Sequence, residues 1–413
     1  MLNSYIFHID FDCFFVSAIR KIRPNLKNKP VAICKNAMHA IAVSISYELR
    51  NLGIKVGATK QEILKKEPKT IFVESHFELF NYVSSEIFDY IAKNISNKIE
   101  ISSIDECYID VSHLVNNDNQ AKALAKKIQN IILKRFDIPV TIGISNNKFA
   151  AKLTTNINKP FGIGLTNQEN FKSNFFDLPI AKYHGIGKKI AFKLQQIGIN
   201  TIGDLAACKI DDIRLDAILG SLTYKYLEVL NPDFTQHISY KDTQPKGIGN
   251  EITFNNKFIS LEEIQNNLNN LAKKVSTRMI QHNLVGDVLT INVRLNGKKW
   301  TNKQVKLNSF TNDYLIIFHN AMALFNDFFE EQLILGIGIR MSNLTSVFDH
   351  YQKQSLFDQI QDSKTSYQVQ KIINQINRKI KNNITMTMKD YQKKKSQSDF
   401  LGEFSQTQGI YKK

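Results

Sequence analysis

The chain has 413 residues, 43% of them hydrophobic and 22% charged, which is enough apolar material for a sizeable core and excludes wholesale disorder. Lys and Arg outnumber Asp and Glu by 54 to 38, a net charge of +16 spread along the chain. That surplus suits a polyanionic partner, nucleic acid before an anionic membrane surface, although a biased genomic composition produces it too. No apolar run reaches the roughly 18 residues of a membrane span, and no secretory leader is read at the start. Cys13, Cys34, Cys107 and Cys208 form no C-x-x-C pair, which argues against a disulfide framework or a structural zinc. A cytoplasmic protein is expected.

Residues 5–10 read as a short buried strand, ending in Asp10-Phe11-Asp12-Cys13-Phe14-Phe15, with a helix starting near Val16. Pro24, Gly53 and Gly57 punctuate a small region from 20 to 75 that carries one strand at 31–34. A helix at 77–93 spaces Phe77, Phe80, Val83, Ile87 and Ile91 near the helical period. A hairpin-like stretch covers 99–111, an amphipathic helix 119–136, a strand 140–145 and a helix 147–156. This β-α-β-β-α-β order predicts a ferredoxin-like α+β core over about 1–165. Lys159-Pro160-Phe161-Gly162 closes it.

Residues 175–235 predict a small helical unit around Tyr183-His-Gly-Ile-Gly-Lys-Lys189. Gly185 and Gly187, ahead of Lys188, Lys189 and a helix, read as a helix–hairpin–helix. Two glycines let backbone N–H groups approach a phosphate, and a helix N-terminus favours negative charge. An ordinary inter-helix turn has the same look. A polar linker at 239–246 leads to a second α+β unit. Its strands are expected at 248–258, 289–295, 303–307 and 335–341 and its helices at 261–281 and 314–331, again ferredoxin-like. Residues 348–413, rich in Lys, Gln, Asn and Ser, read as a mostly disordered tail.

The acids carry the chemistry. Asp10 ends a buried strand and Asp105-Glu106 interrupt an apolar hairpin, where carboxylates are costly unless paired or bound to a cation. If the two strands are neighbours, Asp10, Asp105 and Glu106 converge, and a hard divalent cation is the natural resolution. Two such ions would clamp an in-line phosphoryl displacement. A single Asp at a strand–helix junction more simply caps the helix, and Asp12 is expected to be structural in that sense.

Five motifs together resemble the Y-family translesion DNA polymerases, nearest the bacterial DNA polymerase IV branch. They are Ile9-Asp-Phe-Asp-Cys-Phe-Phe15, Ser44-Ile-Ser-Tyr-Glu-Leu-Arg50, Ser103-Ile-Asp-Glu-Cys-Tyr-Ile-Asp110, Gly143-Ile-Ser-Asn-Asn-Lys148 and Lys159-Pro160. The resemblance spans about 5–345 and implies a right-hand α+β polymerase. Its ferredoxin-like palm would be 1–19 with 76–168, small fingers 20–75, a helical thumb 169–240 and an α+β little finger 241–347. It implies two Mg²⁺ ions on Asp10, Asp105, Glu106 and the Phe11 carbonyl, with Glu106 beside the primer 3′-hydroxyl. Phe15 matches the ring that excludes a ribose 2′-hydroxyl, and Phe14 beside it is placed with the nucleotide site. Ser44, Tyr47, Arg50 and Lys159 match triphosphate contacts.

The resemblance also implies DNA backbone contacts from Gly185, Gly187, Lys188 and Lys189, and from Lys298, Lys299 and Arg340. Lys303, Lys306 and Trp300 are weaker candidates. Lys353-Gln-Ser-Leu-Phe357 resembles a sliding-clamp peptide, with Gln354, Leu356 and Phe357 as contacts, although Lys353 stands where Gln is usual. The expected protein is a monomeric, low-fidelity, lesion-bypass DNA polymerase taking dNTPs on primer–template DNA, without proofreading or a membrane. The rivals are the accessory-dependent branch of the family, a nucleotidyl cyclase, and a non-catalytic DNA-binding factor associated with a clamp.

Overall fold

The computed structural model describes residues 4–36, 40–236, 238–239, 244–254, 260–296, 299–330 and 332–348. The chain divides into two compact units near residue 241.

The first unit opens with β1 (Ile6–Phe11), buried along its whole length, and α1 (Phe14–Ile22). β2 (Val31–Ile33), β3 (Ser44–Ile45), α2 (Tyr47–Asn51), α3 (Lys60–Lys66) and β4 (Ile71–Val73) follow. Their three strands form a separate small sheet in the order β3-β2-β4. Its core is Ala32, Ala42, Ile45, Leu49, Ile54 and Ile63. The chain then forms α4 (Phe77–Asn94), β5 (Ile99–Ile101), β6 (Glu106–Asp110), α5 (Asp118–Phe136), β7 (Val140–Ser145), α6 (Lys148–Asn158) and β8 (Ile163–Leu165).

Five strands make the main sheet, in the order β5-β6-β1-β7-β8. β1 runs antiparallel to both β6 and β7. Strands β5, β6, β1 and β7, with α4 and α5, realise the ferredoxin-like order, and β8 joins parallel to β7 at the edge. The sheet has two distinct faces, because side chains alternate along a strand. Phe11 meets Phe14 and Phe88 of α4 on one face. His8 and Asp10 point to the other, where Thr155 of α6 lies 2.9 Å from His8 Nδ1. α6 can approach this closely because Gly143 presents no side chain: a Cβ there would fall 2.2 Å from the Ala151 carbonyl oxygen.

A helical segment completes the unit: α7 (Phe171–Phe175), α8 (Lys188–Gln196), α9 (Ile202–Ala206), α10 (Ile213–Leu219) and α11 (Thr223–Glu228). Phe171, Phe175, Leu194, Ile202, Leu205 and Leu215 share one core with Phe149 and Leu153 of α6. α6 thus packs on the sheet with one face and on the helices with another. Asn146 and Asn147 donate to the carbonyls of Pro232 and Phe234, which ties the chain leaving α11 back to the end of β7.

The second unit is β9 (Gly247–Thr253), α12 (Leu261–Gln281), β10 (Leu284–Leu295), β11 (Trp300–Thr311), α13 (Tyr314–Phe329) and β12 (Ile334–Ser346). The element order matches expectation, but the sheet does not. Its order is β11-β10-β12-β9, with β10 and β12 central and the first and third strands at the edges. That is not the ferredoxin-like order. The inner face of β12 (Ile334, Ile337, Ile339, Met341) is wholly buried, whereas β11 is studded with exposed Lys, Asn and Gln. Burial selects the first for the centre, and charge suits the second to an edge. β11 also runs longer than the apolar pattern suggests, because its ends are mostly polar, and β10 begins five residues earlier, at Leu284. Among the described residues no helix is long and apolar enough to cross a membrane.

Candidate active site

Asp10, the penultimate residue of β1, sits directly opposite Glu106, the first residue of β6. Asp105 precedes it, and its carbonyl accepts a 2.8 Å hydrogen bond from the Phe11 N–H. The three acids therefore occupy one end of two neighbouring central strands. Each has a partner. Lys159 Nζ lies 2.6 Å from Asp10 Oδ1, and Lys152 Nζ lies 2.5 Å from Glu106 Oε2. The Ser103 hydroxyl donates to Asp105 Oδ1 at 2.6 Å. Lys148, four residues before Lys152, bonds Glu100 of β5 at 3.0 Å.

The electrostatics divide the acids. Burial pushes Asp10 up to about 7; Lys159 opposes the rise, while Asp105 and Glu106 add repulsion. Asp105 is raised too, chiefly by burial and then by Glu106, against its bond from Ser103. Burial also works against a charge on Glu106, but His8 and Lys152 outweigh it and hold that carboxyl below its usual range. His8 is wholly buried and pushed down to about 4, first by burial, with Glu106 opposing the fall.

As the side chains stand, no three His, Cys, Asp or Glu groups among the described residues are gathered closely enough to hold a metal ion. The donor chemistry nevertheless fits one. All three groups are hard oxygen donors, and two of them are destabilised as anions by burial and mutual repulsion, a combination that Mg²⁺ relieves. Arg50 adds an anion-seeking feature. Its Nε is buried without a hydrogen-bond partner, and its guanidinium lies 5.0 Å over the Tyr47 ring. An unsatisfied buried donor of this kind calls for a ligand or water.

Asp12 is structural, but not as a cap. The N-cap of α1 is Cys13, with no side-chain cap bond. The Asp12 carboxylate, 1% exposed, instead accepts from the Thr141 hydroxyl at 2.9 and 3.0 Å. It also accepts from the Phe161 N–H at 2.8 Å and from the Tyr47 hydroxyl at 3.2 Å. Tyr47 thus points its hydroxyl at Asp12, and Ser44 is buried on β3 three residues earlier. Phe15, 6% exposed, stacks on Phe80 at 4.3 Å between centroids and meets Phe77 edge-on, with Phe14 packed alongside.

The glycine turn has the expected geometry. Gly185 has φ +104°, and a Cβ on it would fall 2.6 Å from the Tyr226 hydroxyl oxygen. Gly187 is the N-cap of α8, and Lys188 and Lys189 are exposed in its first turn. In the second unit Lys299 and Arg340 are exposed, and the Arg340 guanidinium lies close over Gly247. Lys303 is engaged, with its ammonium 4.3 Å from the Phe328 ring centroid, and the Trp300 ring lies against Gly336. Lys298, Gln354, Leu356 and Phe357 lie outside the described residues.

Sequence reasoning missed Lys152, His8, Thr141 and Ser103. The Lys148–Lys152 spacing puts both lysines on one helical face and was a usable signal. The tie from Thr141 to Asp12 had none.

The structure gathers Asp10, Asp105 and Glu106 at one end of the main sheet and sets a glycine–lysine turn at the N-terminus of α8. The descriptions "impB/mucB/samB family" and "impB/mucB/samB family C-terminal domain" match residues 9–156 and 245–356. A DNA polymerase IV of Ureaplasma parvum is 32% identical over 360 residues, 86% of this chain and 99% of the relative. One from Streptococcus agalactiae is 30% identical over 82% of this chain and 92% of its own. Among solved structures, a Y-family DNA polymerase chimera aligns with a TM-score of 0.73 at 23% identity, covering 83% of this chain and 99% of the other. The insertion ternary complex of Dbh DNA polymerase aligns over the same shares with a TM-score of 0.60. The chain belongs to the Y-family of translesion DNA polymerases and is a DNA-directed DNA polymerase. Its curated relatives lie in the DNA polymerase IV branch.

Proposed function

We propose that the chain extends a primer past template damage, using dNTPs and two Mg²⁺ ions, without proofreading. The observation that carries this reading is the strand register setting Asp10 opposite Glu106, with Asp105 beside it. Asp10, Asp105, Glu106 and the Phe11 carbonyl would hold the ions, which when bound acidify the primer 3′-hydroxyl and neutralise the leaving pyrophosphate. Glu106 would be the acid next to that hydroxyl. Arg50 supplies its unpaired donor to the triphosphate, with Lys159, Tyr47 and Ser44 beside it. Arg suits this role because its planar fork meets phosphate oxygens two at a time.

Palm (1–19, 76–168), fingers (20–75), thumb (169–240) and little finger (241–347) are the natural divisions under this reading. The thumb would grip the DNA backbone with Gly185, Gly187, Lys188 and Lys189, and the little finger with Lys298, Lys299 and Arg340. Such contacts position DNA without reading its sequence. Gln354, Leu356 and Phe357 would engage a sliding clamp. The protein would act as a monomer in the cytoplasm.

Primer extension on a template carrying an abasic site tests the activity. Full-length chain with Mg²⁺ and dNTPs is expected to insert opposite the lesion and continue. Arrest of all synthesis with DNA still bound would move the assignment to a polymerase that needs accessory subunits.

Phe15 and Phe14 are read as nucleotide-site residues, Phe15 as the ring that collides with a 2′-hydroxyl. Phe15→Ala should reduce the preference for dNTP over rNTP, measured as a ratio of kcat/KM, by at least about tenfold, or about 1.4 kcal/mol. Losing a buried ring should also lower stability by about 3–5 kcal/mol. An unchanged sugar preference with lowered stability would leave Phe15 a core residue stacked on Phe80.

A further inference from the structure

The carboxylate of Glu106 is held from one side. Its described contacts all fall on Oε2, which meets the Lys152 ammonium at 2.5 Å and faces His8 Nε2 at 3.5 Å. Lys152 is well placed to fix it. The lysine side chain is 12% exposed, so this is no loose surface pair. It projects from the middle of α6, a helix seated on the sheet at Gly143 and bonded to it by Thr155 and His8. Thr155 also gives its hydroxyl to the carbonyls of Ala151 and His8 at 3.0 and 3.2 Å, and its oxygen meets His8 Nδ1, which orients the ring beside Glu106. One turn earlier, Lys148 binds Glu100 and pins the same face of the helix to β5.

We propose that Lys152 is a positioning residue: by occupying Oε2 it fixes the Glu106 carboxylate so that Oε1 alone is offered to a divalent cation. The inference rests on the reading of Glu106 as an ion-holding acid. The chemistry is general. A carboxylate with a hydrogen-bonded far oxygen loses no rotational freedom when it takes an ion, and removing such outer partners typically costs about 10–100-fold in metal affinity or activity. The charge of Lys152 acts through Glu106 and needs no contact with nucleotide or DNA.

The test is Lys152→Met in the full chain, read by direct Mn²⁺ binding to the protein–primer–template complex and by steady-state kinetics. The expected result is Mn²⁺ binding weaker by about tenfold and kcat lower by about 10–100-fold, with the dNTP KM within about twofold of wild type. Lys152→Arg, which keeps the charge, should recover part of both losses. Tighter Mn²⁺ binding would overturn the proposal, because Lys152 would then compete with the ion. Unchanged Mn²⁺ binding with a raised KM would also overturn it, by making Lys152 a substrate contact. If the methionine variant does not fold, Lys152→Gln is read by the same two measurements, with the same outcomes. Asp105→Ala runs alongside: if that variant keeps wild-type Mn²⁺ binding and extension, the ion-site reading itself fails, whatever Lys152 does.

Discussion

Asp105→Ala is expected to abolish primer extension while leaving the protein folded. The fold does not depend on this side chain. Asp105 anchors β1 through its backbone, whose carbonyl takes the Phe11 N–H, and that bond survives the substitution. The carboxylate itself is an electrostatic burden, raised by burial and repelled by Glu106. Removing it frees the Ser103 hydroxyl and relieves Asp10, so the melting temperature should be unchanged or higher. Catalysis should respond the other way. Loss of one ion-holding acid forfeits several kcal/mol of transition-state stabilisation, about 10³-fold or more in rate. Single-turnover insertion with enzyme in excess, beside a thermal melt, separates the two effects. Insertion within tenfold of wild type would remove Asp105 from the reacting centre.

Gly143→Ala is expected to give a large loss of stability for a single added methyl group. The added Cβ would lie 2.2 Å from the Ala151 carbonyl oxygen and 2.5 Å from both the amide nitrogen and hydroxyl oxygen of Thr155. Two of those three atoms are backbone, so no rotamer change relieves the clash. α6 must lift from β7, carrying Lys148 and Lys152 with it. Overpacking of this kind costs about 1–3 kcal/mol and occasionally more, or roughly 2–4 °C in Tm for each kcal/mol in a domain of this size. Gly187→Ala is the control. Gly187 has φ −79° and nothing within 4 Å of an added Cβ, so its melt should fall less, by no more than the roughly 1 kcal/mol of a poorer helix N-cap. Equal melts for both variants would mean that α6 is not held where Gly143 places it.

The legible parts of the molecule were those written in local pattern. The apolar run of β1 announced a buried strand, and β7 was legible as a strand. Asp10 and Asp105-Glu106 stood out because carboxylates do not belong in such runs. The helix after Gly187 followed from the glycines and the lysines behind them. What was not legible depended on distant partners. Asp12 resembled a cap because its neighbours in sequence allowed one, whereas its donors lie 35, 129 and 149 residues away. Lys152 looked like any surface lysine until β6 placed Glu106 under it. Lys303 looked free until α13 brought Phe328 beneath its ammonium. In the second unit the element order alone suggested a ferredoxin-like sheet, because order along the chain does not fix order across a sheet. The exposed polar side chains of β11 and the buried inner face of β12 held that information, read as edge and centre.

The bonds to Asp12 have a mechanical consequence. One buried carboxylate is shared by the main sheet through Thr141, by the turn after Lys159 through the Phe161 amide, and by the small three-stranded sheet's helix α2 through Tyr47. Any swing of α2 away from the main sheet must strip a donor from a charge that water cannot reach. α2, which also carries Arg50, is therefore latched in place rather than hinged. If Arg50 meets a triphosphate as proposed, the nucleotide would meet a wall already set.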